Sequence, residues 1–125
     1  MQESTRGNVR NPACPGRQLF DLVTARWAAL VLVDLMNGPQ RWSELRRRAG
    51  GVSDKMLAQT LRDLETGGLI TRTVHTGRPP TVQYALTDLA RGATAALQHL
   101  QNWAEEHTSD YDHHRRTNTT THPTP

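Results

Sequence analysis

Three pairs of backbone breakers divide the middle of the chain: Gly50-Gly51, Gly67-Gly68 and Pro79-Pro80. Whatever folds there must do so in short pieces between them. The first interval reads "VSDKMLAQTLRDLETGGLI". Ser53 suits a helix N-cap, because its hydroxyl can accept one of the free N–H groups of the first turn. Leu57, Leu61 and Leu64 then recur on one helical face, the latter two within about 40° of Leu57 at ~100° per residue. Gly67-Gly68 ends the run, as glycines past a helix C-terminus do. After Gly67-Gly68 come two extended segments, "LITRTVH" and "TVQYAL", on either side of Pro79-Pro80. The latter alternates Val82, Tyr84 and Leu86 on one side with Thr81, Gln83 and Ala85 on the other. The "TGRPP" between them is a turn, giving a hairpin with a stiffened tip at 76–80. A lone hairpin is unstable in water, so it must lean on the helices.

The flanks supply those helices. "RQLFDLVT" predicts a short helix with Leu19, Leu22 and Val23 inward. "RWAALVLVDLMNGP" is apolar nearly all round, which predicts the central buried element, stopped at Asn37-Gly38-Pro39. Gln40 to Trp42 predicts a very short strand. Ser43 is expected to cap a third helix, "ELRRRA", anchored by Leu45. Thr87 is expected to cap a long last helix reaching about His107. On it Leu89, Ala93, Ala96, Leu100, Trp103 and His107 recur at steps of four and three, a heptad-like stripe. The helix is longer than a 125-residue chain needs to cover itself. The order helix, helix, short strand, helix, helix, strand, wing, strand, long helix is that of a winged helix-turn-helix, mostly α with a small β-hairpin. The domain is expected over 13–108. A polar, flexible tail is expected over 1–12, and a disordered one over 109–125, where "SDYDHHRRTNTTTHPTP" offers no apolar periodicity.

Charge is unevenly placed. Residues 40–82 carry Arg41, Arg46, Arg47, Arg48, Lys55, Arg62, Arg72 and Arg78 against Glu44, Asp54, Asp63 and Glu65, whereas 83–112 carry only Arg91 against five acidic residues. A basic middle points to an anionic polymer more than an overall charge of +3 does. One cysteine, Cys14, excludes an intrachain disulfide. The longest apolar run, "WAALVLV", is too short to span a bilayer. The N-terminus lacks the apolar core of a secretory signal. A soluble, cytoplasmic protein with no membrane partner is expected. His99 and His107 stand too far apart for a helical chelate, and His113, His114 and His122 fall in the tail, so neither metal nor cofactor is expected. No nucleophile has a recognisable base, and no Gly-rich phosphate loop follows a strand; an enzyme is not expected.

The opening helix has an outer face of Lys55, Gln59, Arg62 and Thr66, opposite Leu57. An arbitrary amphipathic helix would simply present it to solvent. Here a basic helix precedes it and a wing follows, which favours insertion into the major groove. There Lys can pair with guanine and Gln with adenine. Ser53 and the helix N-terminus suit a phosphate. Arg46, Arg47 and Arg48 suit phosphates that set position rather than sequence. Arg62 is left open between base and phosphate. Arg78 is left open between minor groove, phosphate and solvent.

These segments resemble the HxlR family of bacterial transcription regulators over about Cys14 to Trp103. "CP" at Cys14-Pro15, "RW" at Arg26-Trp27, "RWSELRR" from Arg41, "VSDKMLAQTLRDLETGGLITR" and "PPTVQYALTDLAR" are similar to that family's motifs. Trp42 stands where Phe is more usual and Ala90 where Gly is. The resemblance implies a homodimeric regulator of double-stranded DNA with a pseudo-palindromic operator and a recognition helix at 53–66. It implies DNA contacts from Ser43, Arg46, Arg47, Arg48, Ser53, Lys55, Met56, Gln59, Arg62 and Arg78. It implies dimerisation through Leu19, Phe20, Leu89, Ala93, Ala96, Leu100 and Trp103. Some members use an early cysteine to sense oxidants or electrophiles, so Cys14 is a candidate sensor, with Arg17 the nearest group able to lower its pKa. The residues alone favour a small structural side chain there. A small-molecule effector could sit near Trp27 and Trp103, although ordinary core is the simpler reading for both. The alternative function is a winged-helix protein-interaction module.

Overall fold

The computed structural model describes residues 6–121, with side chains to residue 118. Helix α1 (Pro15–Thr24) and α2 (Arg26–Asp34) are separated only by Ala25 in extended conformation. A short 3-10 turn (Leu35–Asn37) leads to β1 (Gln40–Arg41), then α3 (Trp42–Arg48) and α4 (Asp54–Thr66). The strands β2 (Ile70–His75) and β3 (Thr81–Leu86) follow, then α5 (Asp88–Glu106) and α6 (Thr108–Thr121). The sheet is antiparallel in the order β1-β3-β2, with Ile70 opposite Leu86 and His75 opposite Thr81, while Gln40 and Arg41 face Tyr84 and Gln83. The Arg78–Pro79 peptide at the hairpin tip is cis.

Helix α2 runs through the centre, as its all-round apolar sequence requires. Ala28, Val31, Leu32 and Val33 are buried on it and meet Leu35, Leu45, Leu57, Leu61, Leu64, Leu69, Ile70, Ala90 and Leu97 from every other layer of the core. Each such leucine stabilises the fold by roughly 1.5–3 kcal/mol relative to exposure. This one core holds the α3–α4 pair, the hairpin and α5 together.

Five local expectations are corrected. Helix α1 begins two residues earlier than "RQLF", with Cys14 at the N-cap position and Pro15 in the first turn. Only Val23 is buried on it; Leu22 is half-buried and Leu19 is exposed, because α1 touches the core along a single narrow edge. Ser43 does not cap α3. The strand pairing holds Arg41 extended, Glu44 accepts the Arg41 N–H at 2.9 Å, and the helix starts at Trp42, leaving Ser43 inside the first turn. Thr87 does sit at the N-cap of α5, but its hydroxyl donates backwards to the carbonyls of Gly68 (2.8 Å) and Leu69 (3.1 Å), tying α5 to the loop after α4. The stretch from 109 is helical to Thr121 rather than disordered. It has no apolar stripe; Asp112 pairs with Arg115 and Arg116 at helical spacing, and Thr108 bonds back to Ala104, the local means by which a polar helix persists. Residues 1–5 and 122–125 of the two expected tails lie outside the described residues. Of the N-terminal tail, residues 8–13 form successive turns in which Asn8 and Asn11 side chains accept from the N–H groups of Arg10 and Ala13.

Candidate nucleic-acid interface

The α3–α4 unit is fixed from below and strapped from above. Ala49 and Val52 are buried in the turn, and the Val52 N–H reaches the Ala49 carbonyl at 3.1 Å. Gly51 between them has φ +91°, which side-chain-bearing residues rarely adopt. Across the turn the Arg46 guanidinium pairs with Asp54. Ser53 Oγ accepts the Met56 N–H at 3.1 Å, completing the N-cap expected of it. At the far end Gly68 has φ +77°; its N–H bonds the Glu65 carbonyl at 3.0 Å, and the Leu69 N–H bonds Leu64 at 2.9 Å. That is a Schellman closure, formed because glycine accepts the left-handed position at no steric cost.

With Leu57, Thr60, Leu61 and Leu64 buried, the opposite face of α4 is presented outward. Lys55, Met56, Gln59 and Arg62 are all exposed. Lys55 has no hydrogen-bond or ion-pair partner among the described residues. The Gln59 amide lies between two neighbours: it donates to Asp63 (2.8 Å) and accepts from Arg62 (3.0 Å). The three arginines of α3 part company. Arg46 is held by Asp54, and Arg48 lies 4.0 Å from the Asp34 carboxylate, whose pKa burial raises against the opposing pull of Arg48. Arg47 is exposed and has no such partner among the described residues. Arg78 is exposed at the hairpin tip.

Grooves flank α4 on both sides. Toward the hairpin, a cavity of about 370 Å³ is lined by Trp42, Ala58, Leu61, Arg62, Glu65, Arg72 and Tyr84. Arg72 was not among the sequence candidates. The signal was there in the period of two, which sets Arg72 on the Ile70 side of β2, opposite Tyr84. Toward α1, a cleft of about 350 Å³ is lined by Pro15, Gln18, Leu19, Leu22, Asp63, Thr66 and Gly67.

Helix α5 has two apolar faces. Ala90, Thr94 and Leu97 are buried against the chain's own core, and Gln101 reaches the Ala29 carbonyl at 3.3 Å. The predicted stripe lies about 110° around the helix from them. Ala93 is half-buried at its edge, but Leu89 (63%), Leu100 (57%) and Trp103 (55%) are exposed, as is Ala96. Trp103 is therefore not core; it stacks on His107 at 5.1 Å. Trp27 does pack on the core. On α1, Leu19 (43%) and Phe20 (49%) are also exposed.

Cys14 is half-buried at the start of α1. The Asn8 N–H lies 3.3 Å from its sulfur and, with the N–H groups of Gly16 and Arg17, pulls the thiol below its ordinary pKa, partly opposed by burial. The Arg17 side chain plays no part, because it is paired with Asp21 at 3.1 Å. Among the described residues no helix is long and apolar enough to cross a membrane.

Residues 22–112 match the HxlR-like helix-turn-helix family. The uncharacterised HTH-type transcriptional regulator YtfH of Escherichia coli K12 is 42% identical over 104 residues, covering 83% of this chain and 82% of YtfH. The solved transcriptional regulator ytfH of Salmonella typhimurium superposes with a TM-score of 0.81 at 40% identity, over 89% of this chain and 99% of the other. The diamide-treated YodB of Bacillus subtilis superposes with a TM-score of 0.64 at 34% identity, over 77% and 96%.

Proposed function

The chain belongs to the HxlR-like helix-turn-helix family of transcriptional regulators, and we propose that it acts in the cytoplasm as a homodimer on double-stranded DNA. Helix α4 enters the major groove, and the tip at 76–80 lies on flanking DNA. The observation that carries this is the outward face of α4: anchored beneath by three buried leucines, it leaves Lys55 unpaired and Gln59 exposed at the surface. Lys55 and Gln59 are the base contacts, Met56 an apolar one beside them, and Ser53 with the helix N-terminus a phosphate contact. Arg47 and Arg78 meet phosphates or the minor groove. Arg46 and Arg48 serve first to brace the unit through Asp54 and Asp34.

The experiment is selection of bound sequences from genomic DNA, followed by affinity measurement across salt concentrations. Lys55→Ala and Gln59→Ala should relax base preference. Arg47→Ala should weaken binding on all sequences and reduce the salt slope by about one. Binding without any preferred sequence would instead favour a protein-interaction module.

Cys14 gives the regulator a means of response. Its thiol pKa is lowered, and the similar YodB was solved after treatment with diamide. Diamide oxidation joins two thiols in a disulfide and reduces the azo bond to a hydrazine. With one cysteine per chain, the second thiol belongs to another copy or to a small-molecule thiol.

A further inference from the structure

Asp63 is out of place on a helix that reads DNA. It is exposed at the edge of the outer face, where its charge would repel phosphate. Its hydrogen bonds give it a role. Gln59 Nε2 donates to Asp63 Oδ1 at 2.8 Å, and Gln59 Oε1 accepts from Arg62 Nη2 at 3.0 Å. Arg62 and Asp63 stand three and four residues after Gln59, the two spacings that bring side chains together on a helix. Their charges cancel, so the trio adds nothing against the DNA backbone.

Chemistry fixes the direction of the amide in this chain of bonds. Turned over, the amide would set its NH2 against a guanidinium that only donates and its carbonyl against a carboxylate that only accepts. Held as it is, Gln59 keeps one unused N–H on Nε2 and one unused lone pair on Oε1. A donor beside an acceptor is the complement of adenine, which offers N7 as acceptor and N6–H as donor in the major groove. Guanine offers two acceptors there, N7 and O6, and cannot satisfy the lone pair.

We propose that Arg62 and Asp63 are positioning residues that lock the Gln59 amide as an adenine reader. This rests on the base-reading role given to α4 above and names the base. Locking matters because a free glutamine side chain has rotamer freedom to lose on binding and an amide that can turn to suit either purine. It also gives Arg62 a use in the free protein.

The test uses the full chain and the operator selected from genomic DNA. Fluorescence anisotropy would measure affinity for that duplex, for duplexes with each adenine changed to guanine, and for duplexes with 7-deazaadenine, which lacks the N7 acceptor. Wild type should lose about tenfold at one adenine per half-site under either change, and Gln59→Ala should be indifferent there. Asp63→Ala and Arg62→Ala should still bind but discriminate adenine from guanine several-fold less at that position alone. Asp63→Asn and Arg62→Lys, which keep an acceptor and a donor, should restore most of the discrimination. If Gln59→Ala changes preference but the Asp63 and Arg62 variants do not, the amide needs no positioning and the proposal falls while the reading of α4 stands. If Gln59→Ala changes nothing at any position, the reading of α4 itself has failed.

Discussion

Cys14 shows how much a single residue's surroundings decide. In the sequence it is one thiol beside Pro15, with Arg17 the nearest cation. In the fold it sits at the N-cap of α1 and receives the Asn8 N–H from a turn six residues earlier. Backbone N–H groups, not a guanidinium, stabilise the thiolate. Because the folded-state pKa lies below the ordinary value, the reactive thiolate persists to lower pH than in a free cysteine. Alkylation by iodoacetamide should therefore show a pH–rate midpoint below that of an unstructured peptide containing the same cysteine. Asn8→Pro, which removes the donor, should move it back up. A thiol-reactive quinone or diamide should alter operator binding in wild type and not in Cys14→Ser; equal responses would make Cys14 structural.

At the scale of elements, α1 and α4 meet at one tight point. A Cβ built on Gly67 would come within 2.6 Å of Leu22 Cδ2 and 3.3 Å of the Asp63 carbonyl. Glycine at the C-cap of α4 therefore allows α1 to approach, in addition to ending the helix. Gly67→Ala, read by urea unfolding, should destabilise the protein by about 1 kcal/mol or less, below the usual overpacking cost, because the half-buried Leu22 side chain can turn into the cleft beside it. Combined with Leu22→Ala, which vacates the space, the two costs should fall short of their sum, as contacting residues do. Additive costs would show that the contact is not tight. The helices and hairpin were legible in the sequence because breakers and periodicity are local signals: α2, α4, β2 and β3 lie where those signals put them. The starts of α1 and α3 were not. Arg41 is held extended by its pairing with Gln83 on β3, a partner more than forty residues away, and that moved the cap off Ser43. The helix after Thr108 was missed because its support is ion pairing around Asp112 rather than an apolar stripe.

For the whole molecule, the telling feature is what α5 leaves uncovered. Its core face is satisfied by Ala90, Thr94 and Leu97, yet Leu89, Leu100 and Trp103 remain exposed, as do Leu19 and Phe20 on α1. A second copy is the partner we propose. A helix of 19 residues spans about 28 Å at ~1.5 Å per residue, and two α4 helices in a twofold pair should meet half-sites roughly 34 Å apart or a multiple of that. Leu100→Glu should leave the helical content intact, since that side chain is outside the core. It should shift the sedimentation coefficient to that of a single chain and weaken binding to a two-half-site duplex far more than to a single half-site. A variant that still sediments as a dimer would place the interface elsewhere.

By itself the sequence determined that α2, α4, β2, β3 and α5 are helix or strand, that α4 turns one leucine face inward, and where the positive charge is gathered. Those properties follow from periodicity and turn chemistry within a few residues. Only the tertiary structure decided which apolar residues the chain keeps for its own core. Trp27 and Trp103 look alike as sequence, yet Trp27 packs half-buried on the core and Trp103 is exposed. It also decided which arginines are spoken for: Arg46, Arg47 and Arg48 are consecutive and identical, yet the fold brings Asp54 and Asp34 to two of them and leaves Arg47 exposed. Charge pairing depends on distances of a few ångströms between residues far apart in the chain, and no local pattern carries that information.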